Sequence, residues 1–173
     1  VAWCVVWWLW YRGDHAAAPT PRSPAPWGLL LRSPQVWLIA TMYGCYAWGS
    51  WFYFSWLHTW LVKGRGFTEG EMAVFSSLPF VLGAMANVAG GYLGGAAVRR
   101  FGTRRGRVMV GSTCLAGAAC LLVATALTED RHAAVILLAL GFGVMDLMLP
   151  SAWAICLDVS GPHAGAVTGI MNT

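Results

Sequence analysis

Val36 to Val62, Ala73 to Val98, Val108 to Thr128 and His132 to Leu157 are four stretches in which the only Asp, Glu, Lys or Arg is Asp146. The hydrocarbon core of a bilayer, about 30 Å thick, is crossed by about 20 apolar residues in a helix, and each stretch is long enough. Inside lipid the backbone must satisfy its own hydrogen bonds, so uncharged runs of this length fold as helices that pack on one another. The expected fold is therefore an all-α membrane protein, a polytopic helical bundle. Composition points the same way: 10% charged and 58% hydrophobic residues stand far from the roughly 25% and 45–50% of a soluble domain.

Around these stretches the chain divides into three parts. Residues 1–10 (VAWCVVWWLW) are apolar, Trp-rich and followed by Arg12. With no initiator Met, basic leader or small-residue cleavage site, they read as the end of a transmembrane helix rather than a signal peptide. Residues 11–33 include the Pro-rich run from Pro19 to Pro26, which cannot hold a helix and reads as a linker. Residues 34–173 form the transmembrane bundle, with spans at about 36–62, 73–98, 108–128 and 132–157 and a truncated span from 164.

The net charge of +4 is unevenly placed. Arg12, Arg22 and Arg32 lie in the linker, and Arg99, Arg100, Arg104, Arg105 and Arg107 lie between the second and third spans. Two spans separate these basic segments, so both fall on one side of the membrane, and the positive-inside rule makes that side cytoplasmic. Flanked by spans, the arginines set orientation and do not point to a nucleic-acid partner. The loop with Lys63, Arg65, Glu69 and Glu71 and the turn Glu129-Asp130-Arg131 belong to the other side. Cys4, Cys45, Cys114, Cys120 and Cys156 show no CxxC spacing and no histidine at ligand distance, so no metal or other cofactor is expected. No nucleophile and base gather at one depth, and Asp146 and Asp158 stand about 18 Å apart along a helix, too far for a catalytic carboxylate pair. The chain does not read as an enzyme.

Asp146 is the most informative single residue. A carboxylate near the middle of a span costs roughly 2.5–3.5 kcal/mol, so it faces a water-filled cavity or a partner, or carries a proton. Proton coupling, substrate contact and a structural hydrogen bond to a neighbouring helix are all open to it. Tyr43, Tyr46 and Ser50 recur at helical spacing and share a face of the first span, suited either to a polar cavity or to packing. Trp51, Trp56 and Trp60 read as an interfacial belt, with His58 beside them. In the fourth span Pro150 interrupts the helix ahead of Ser151 and Trp153, where a transporter places binding groups or a bundle simply kinks. Gly90 with Gly94, Gly91 with Gly95, and Gly161, Gly165 and Gly169 have the small-xxx-small spacing that lets helices approach closely in lipid.

Several strings occur together and in order: Ser55-Trp56-Leu57-His58-Thr59-Trp60-Leu61, Gly64-Arg65-Gly66-Phe67-Thr68-Glu69, Leu78-Pro79-Phe80, Gly90-Gly91-Tyr92-Leu93-Gly94-Gly95 with Arg99-Arg100-Phe101-Gly102, and Gly165 to Asn172. Over nearly the whole chain this resembles the C-terminal half of the major facilitator superfamily, from the end of helix six to the start of helix eleven. The closest likeness is to its anion:cation symporter family of hexuronate, glucarate, galactonate and phthalate carriers. The resemblance implies a twelve-helix carrier of two halves, working by alternating access and proton-coupled symport of a small organic anion such as a sugar acid. Its partners would be that anion, protons, the lipid bilayer and an N-terminal six-helix half, and its home a bacterial inner membrane. Tyr43, Tyr46, Trp153 and Asn172 stand where such relatives contact substrate. Gly91, Arg99 and Arg100 belong to the cytoplasmic loop motif, with Asp158 as the acidic counterpart because Gly95 replaces the motif's own acid. A sugar or polyol carrier, a drug exporter of the same superfamily and a non-transporting membrane fragment are the alternatives.

Overall fold

The computed structural model describes residues 2–10 and 24–173. The expected linker at 11–33, with Arg12 and Arg22, lies outside the described residues up to position 23. A helix α1 (Ala2–Trp10) contains no buried residue, and a single turn α2 (Trp27–Leu30) precedes the bundle. The bundle comprises α3 (Pro34–Ser55), a short turn α4 (Leu57–Thr59) running into a π turn at Trp60–Gly64, α5 (Glu69–Phe75), α6 (Leu78–Phe101), α7 (Thr103–Leu127), α8 (Arg131–Asp146), α9 (Leu149–Ser160) and α10 (Ala164–Met171). No strand occurs among the described residues, and the fold is all-α.

Local chemistry sets most of these boundaries. Pro34 opens α3 at a position where its missing N–H costs nothing. Thr68 and Glu71 form a reciprocal capping box at the start of α5, and the Asp130 carboxylate accepts from the Ala133 N–H at 2.6 Å to start α8. Gly102 ends α6 with φ of 79°, a conformation that suits glycine.

Three helical stretches are long and apolar enough to cross a membrane: Glu69–Phe101, Thr103–Leu127 and Arg131–Ser160. Two of them are jointed. The first steps at Ser76 and Ser77 between α5 and α6; the last steps at Leu147 and Met148 between α8 and α9. Pro150 accounts for the second joint, since it offers no N–H to the carbonyl four residues earlier and its ring crowds that turn. At 22 residues, α3 has the length to cross but carries Trp, Tyr, Ser and Gly in place of aliphatic residues.

The expected loop at 99–107 is instead a single-residue hinge. α6 continues through Phe101 and α7 starts at Thr103, so Arg104, Arg105 and Arg107 are helical. Apolarity marks where lipid ends, whereas the helices run on past that point, with Arg99 and Arg100 on the last turn of α6 and Arg104, Arg105 and Arg107 at the start of α7.

α8 is the centre of the bundle. Val135, Leu138, Phe142 and Met145 are buried, and they pack with Tyr46 and Tyr53 of α3, Ala118 of α7 and Ala152 of α9. A smaller core of Val36, Ile39, Cys156, Val167 and Met171 joins the start of α3 to α9 and α10. Large apolar side chains elsewhere, such as Leu38, Trp48, Val88 and Tyr92, are exposed, as a lipid-facing surface requires.

Candidate functional site

The face of α6 that meets α8 and α9 is built from Gly83, Asn87, Gly90 and Gly94, spaced by four, three and four residues. A methyl group on Gly90 would lie 2.2 Å from the Leu147 carbonyl oxygen, and one on Gly94 2.6 Å from the Ser151 hydroxyl. One of the two overlapping glycine pairs therefore makes the close approach. The other does not: Gly91 has open space around it, and Gly95 meets only the tip of Arg99. A methyl group on Gly161, Gly165 or Gly169 would likewise meet nothing within 4 Å.

This close approach brings three helices around Asp146, which is only 6% exposed. From α3, the Tyr46 hydroxyl donates to Asp146 Oδ1 at 2.6 Å. From α6, Asn87 Nδ2 donates to Asp146 Oδ2 at 2.9 Å and to the Gly83 carbonyl at 3.3 Å. A side chain at position 83 would collide with Oδ2 and with the Phe142 ring, so glycine there is what makes room for the carboxylate. Both donors are neutral, and the carboxylate's hydrogen-bonded partners include no cation. Two turns further along α3, the Tyr53 hydroxyl donates to the Leu138 carbonyl at 3.0 Å, fixing α3 on α8 a second time.

Of the residues singled out from the sequence, Tyr43, Tyr46, Asp146 and Trp153 come together. The rings of Tyr43 and Tyr46 are 5.5 Å apart, and Trp153 sits edge-on to Tyr43 at 6.1 Å. Tyr46 is buried, Tyr43 half-buried, and Trp153 is 40% exposed, so the group grades from a dry carboxylate to an open aromatic edge. Ser50 shares the face, but its hydroxyl donates to the Tyr46 carbonyl within the same helix. Asn172 does not join: it is exposed at the end of α10, its amide making no side-chain hydrogen bond among the described residues.

At the other end of α9, Asp158 pairs with Arg107, whose Nε donates to Oδ2 at 3.1 Å. This corrects the expected partnership with Arg99 and Arg100. Both stay exposed on the last turn of α6, and Arg100 lies over the ring of Phe101. The extension of α7 back to Thr103 is the reason, because it places Arg107 on a helix that packs against α9. Beside the pair is a cleft of about 600 Å³ lined by Gln35, Met42, Arg104, Arg107, Asp158 and Val159, among others. His58, in the expected aromatic belt, is exposed and 3.3 Å from Glu69. Among the described residues no group of three His, Cys, Asp or Glu side chains is placed to hold a metal ion.

Asn87 escaped the sequence reading, which takes Arg107 only as one of five arginines that set orientation. An amide alone in an apolar span is itself a signal, because a polar side chain in lipid needs a partner on another helix, and Asn87 stands four residues after one tightly packed glycine and three before another.

Jointed apolar helices closing on a buried, neutral-partnered carboxylate define an integral membrane protein of the helical-bundle class. The family model for the Major Facilitator Superfamily matches residues 1–173, and the chain belongs to that superfamily, whose members are membrane carriers rather than enzymes. It is 35% identical over 93% of its length to the Probable sulfoacetate transporter SauU of Cupriavidus necator, 28% over 90% to the Hexuronate transporter of Bacillus subtilis, and 24% over 92% to the Sodium-dependent phosphate transport protein 1, chloroplastic, of Arabidopsis thaliana. The chain spans 37%, 38% and 31% of those relatives' lengths. No solved structure matches it.

Proposed function

We propose that this chain acts as the C-terminal half of a secondary active carrier that moves a small organic anion, such as a sugar acid, by alternating access and in symport with protons. The observation that carries the reading is Asp146: a buried carboxylate at the joint of a span, held by two neutral donors from two other helices. Without a fixed cation beside it, such a group exchanges its charge by taking up and releasing a proton, and a span jointed at that depth gives the group two settings. Relatives named for sulfoacetate, hexuronate and phosphate support an anionic substrate.

In this reading Tyr43 and Trp153 contact the substrate from the open side of the site, Tyr46 from its buried end, and Asn172 reaches it in another state of the cycle. The basic end, with Gly91, Arg99 and Arg100, faces the cytoplasm, and the Arg107–Asp158 pair is its gate. Because two of the named relatives are bacterial, a bacterial inner membrane suits the chain, with an N-terminal six-helix half completing the pathway.

The test is uptake of labelled hexuronate and sulfoacetate into vesicles bearing the carrier, with and without an imposed proton gradient. Asp146→Asn should abolish gradient-driven accumulation while leaving exchange of labelled for unlabelled anion across the membrane intact. Full accumulation by Asp146→Asn removes Asp146 from coupling, and accumulation that ignores the proton gradient in the unmodified carrier removes proton symport.

A further inference from the structure

The two oxygens of Asp146 are not equivalent, and the difference originates on α6. Asn87 Nδ2 has two hydrogens and two acceptors, the Gly83 carbonyl on its own helix at 3.3 Å and Asp146 Oδ2 at 2.9 Å. Turning the amide over would aim its oxygen at the Gly83 carbonyl, oxygen against oxygen, so the helix's own backbone fixes which way Asn87 points. An amide N–H in that orientation can only donate. Oδ2 therefore accepts from Asn87 whether Asp146 is charged or neutral, and a proton on Oδ2 would weaken that bond, because the hydroxyl oxygen of a carboxylic acid is a poorer acceptor than its carbonyl oxygen. Oδ1 faces Tyr46, and a hydroxyl donates or accepts as required.

We propose that Asn87 is a positioning residue that holds Oδ2 as a permanent acceptor and thereby makes Oδ1 the oxygen that gains and loses the proton, with Tyr46 as its relay. The inference rests on the reading of Asp146 as the proton-coupling carboxylate. The step balances: a hydronium ion on the open side gives a proton to the Tyr46 oxygen as the tyrosine hands its own hydroxyl proton to Oδ1. Tyr46 ends neutral, one water is left, and the carboxylate has become a carboxylic acid. Release runs the same exchange backwards. Titratable groups around Asp146 are Tyr43, Tyr46 and Tyr53 from α3 and, from α7, Cys114 at the edge of the same core. On α9 they are Cys156 and Asp158, the first in the smaller core and the second held by Arg107. Among the described residues no cation hydrogen-bonds to or pairs with Asp146, so hydrogen-bond direction rather than a fixed charge selects the oxygen.

Infrared difference spectra of the lipid-reconstituted carrier between low and high pH test this, because a protonated carboxyl shows its C=O stretch apart from the amide bands. The band that disappears in Asp146→Asn belongs to Asp146. If Oδ2 is the carbonyl oxygen of the acid form and Asn87 bonds to it, Asn87→Leu moves this band to higher frequency, and Tyr46→Phe moves it less. Asn87→Ser, which keeps a polar side chain but not the reach of the amide, should give the same upward shift and serves if the leucine variant does not fold. A band unmoved in Asn87→Ser, or moved further by Tyr46→Phe than by Asn87→Ser, overturns the assignment of the oxygens while leaving Asp146 as the proton site. If no band is lost in Asp146→Asn, the carboxylate does not titrate, and the proposed coupling falls with the inference built on it.

Discussion

The two ends of this bundle use arginine in opposite ways. At the end where α7 finishes, the Arg65 guanidinium donates to the carbonyls of Thr128 at 2.7 Å and Thr125 at 2.9 Å and lies over the Trp60 ring. Arg131 donates to the Gly66 carbonyl, pairs with Glu71 at 3.4 Å and covers the Phe67 ring. A cation on the unpaired carbonyls of a helix C-terminus satisfies acceptors that the helix cannot, and complements its dipole. The opposite end has Arg99, Arg100, Arg104, Arg105 and Arg107, yet only Arg107 makes an ion pair among the described residues. Arginine becomes a structural tie where unfilled carbonyls face it. Elsewhere it stays as surface charge, and among the described residues one ion pair, Arg107 with Asp158, ties the end that bears it.

Between the ends lies the tightly packed glycine face of α6, and disturbing it should have the largest effect. Gly90→Ala puts a methyl 2.2 Å from a backbone carbonyl, which cannot step aside as a side chain would, so about 3 kcal/mol of stability should be lost. Gly91→Ala, one residue on and in open space, should instead gain up to about 1 kcal/mol from helix propensity. Thermal unfolding in detergent checks both. Equal effects from the two substitutions would mean that the close approach is not where α6 and the α8–α9 joint are held.

Arg65→Ala comes next. Losing charge-assisted hydrogen bonds to the end of α7 should cost about 2 kcal/mol, part of it regained by water at a half-exposed site. Arg65→Lys should recover only a fraction, since one ammonium cannot reproduce the planar fork that serves two carbonyls. If Arg65→Ala lowers the melting temperature no more than Arg107→Ala does, the ends are held alike and the contrast between them is gone.

The parts of this arrangement that were legible in the sequence are those where one residue type has one physical consequence in lipid. Uncharged runs became helices, Pro150 became a joint, and the helical spacing of Tyr43 and Tyr46 placed both beside Asp146, the acid inside a span. What was not legible depends on relations between helices. The loop at Arg99–Arg107 read as irregular because charge marks the edge of lipid, whereas helix length there is set by Gly102 and by packing of α7 on α6. Asp158 found Arg107 rather than Arg99 because of that extension. Which of two overlapping glycine pairs packs is decided by the rotation of α6, and the Gly90–Gly94 phase is also the one that turns Asn87 to Asp146. Asn172, placed at the site by resemblance alone, sits at the end of α10 with its side chain exposed.

The smallest effect should be at Asp158. Its pair with Arg107 is part-exposed, with side chains 35% and 19% accessible respectively, and such pairs contribute about 0.2–1 kcal/mol. A double-mutant cycle of Asp158→Asn and Arg107→Gln should therefore give a coupling in that range, weakening as salt screens the charges. The same cycle pairing Asp158→Asn with Arg99→Gln or Arg100→Gln should give essentially none. A coupling above about 2 kcal/mol, in the range of hydrogen-bonded charges, would make this end as firmly tied as the one capped by Arg65. In the proposed carrier cycle a weak pair suits a gate: a contact that opens in every cycle can contribute only a little to holding either state, whereas ties to backbone carbonyls suit an end that moves as a unit.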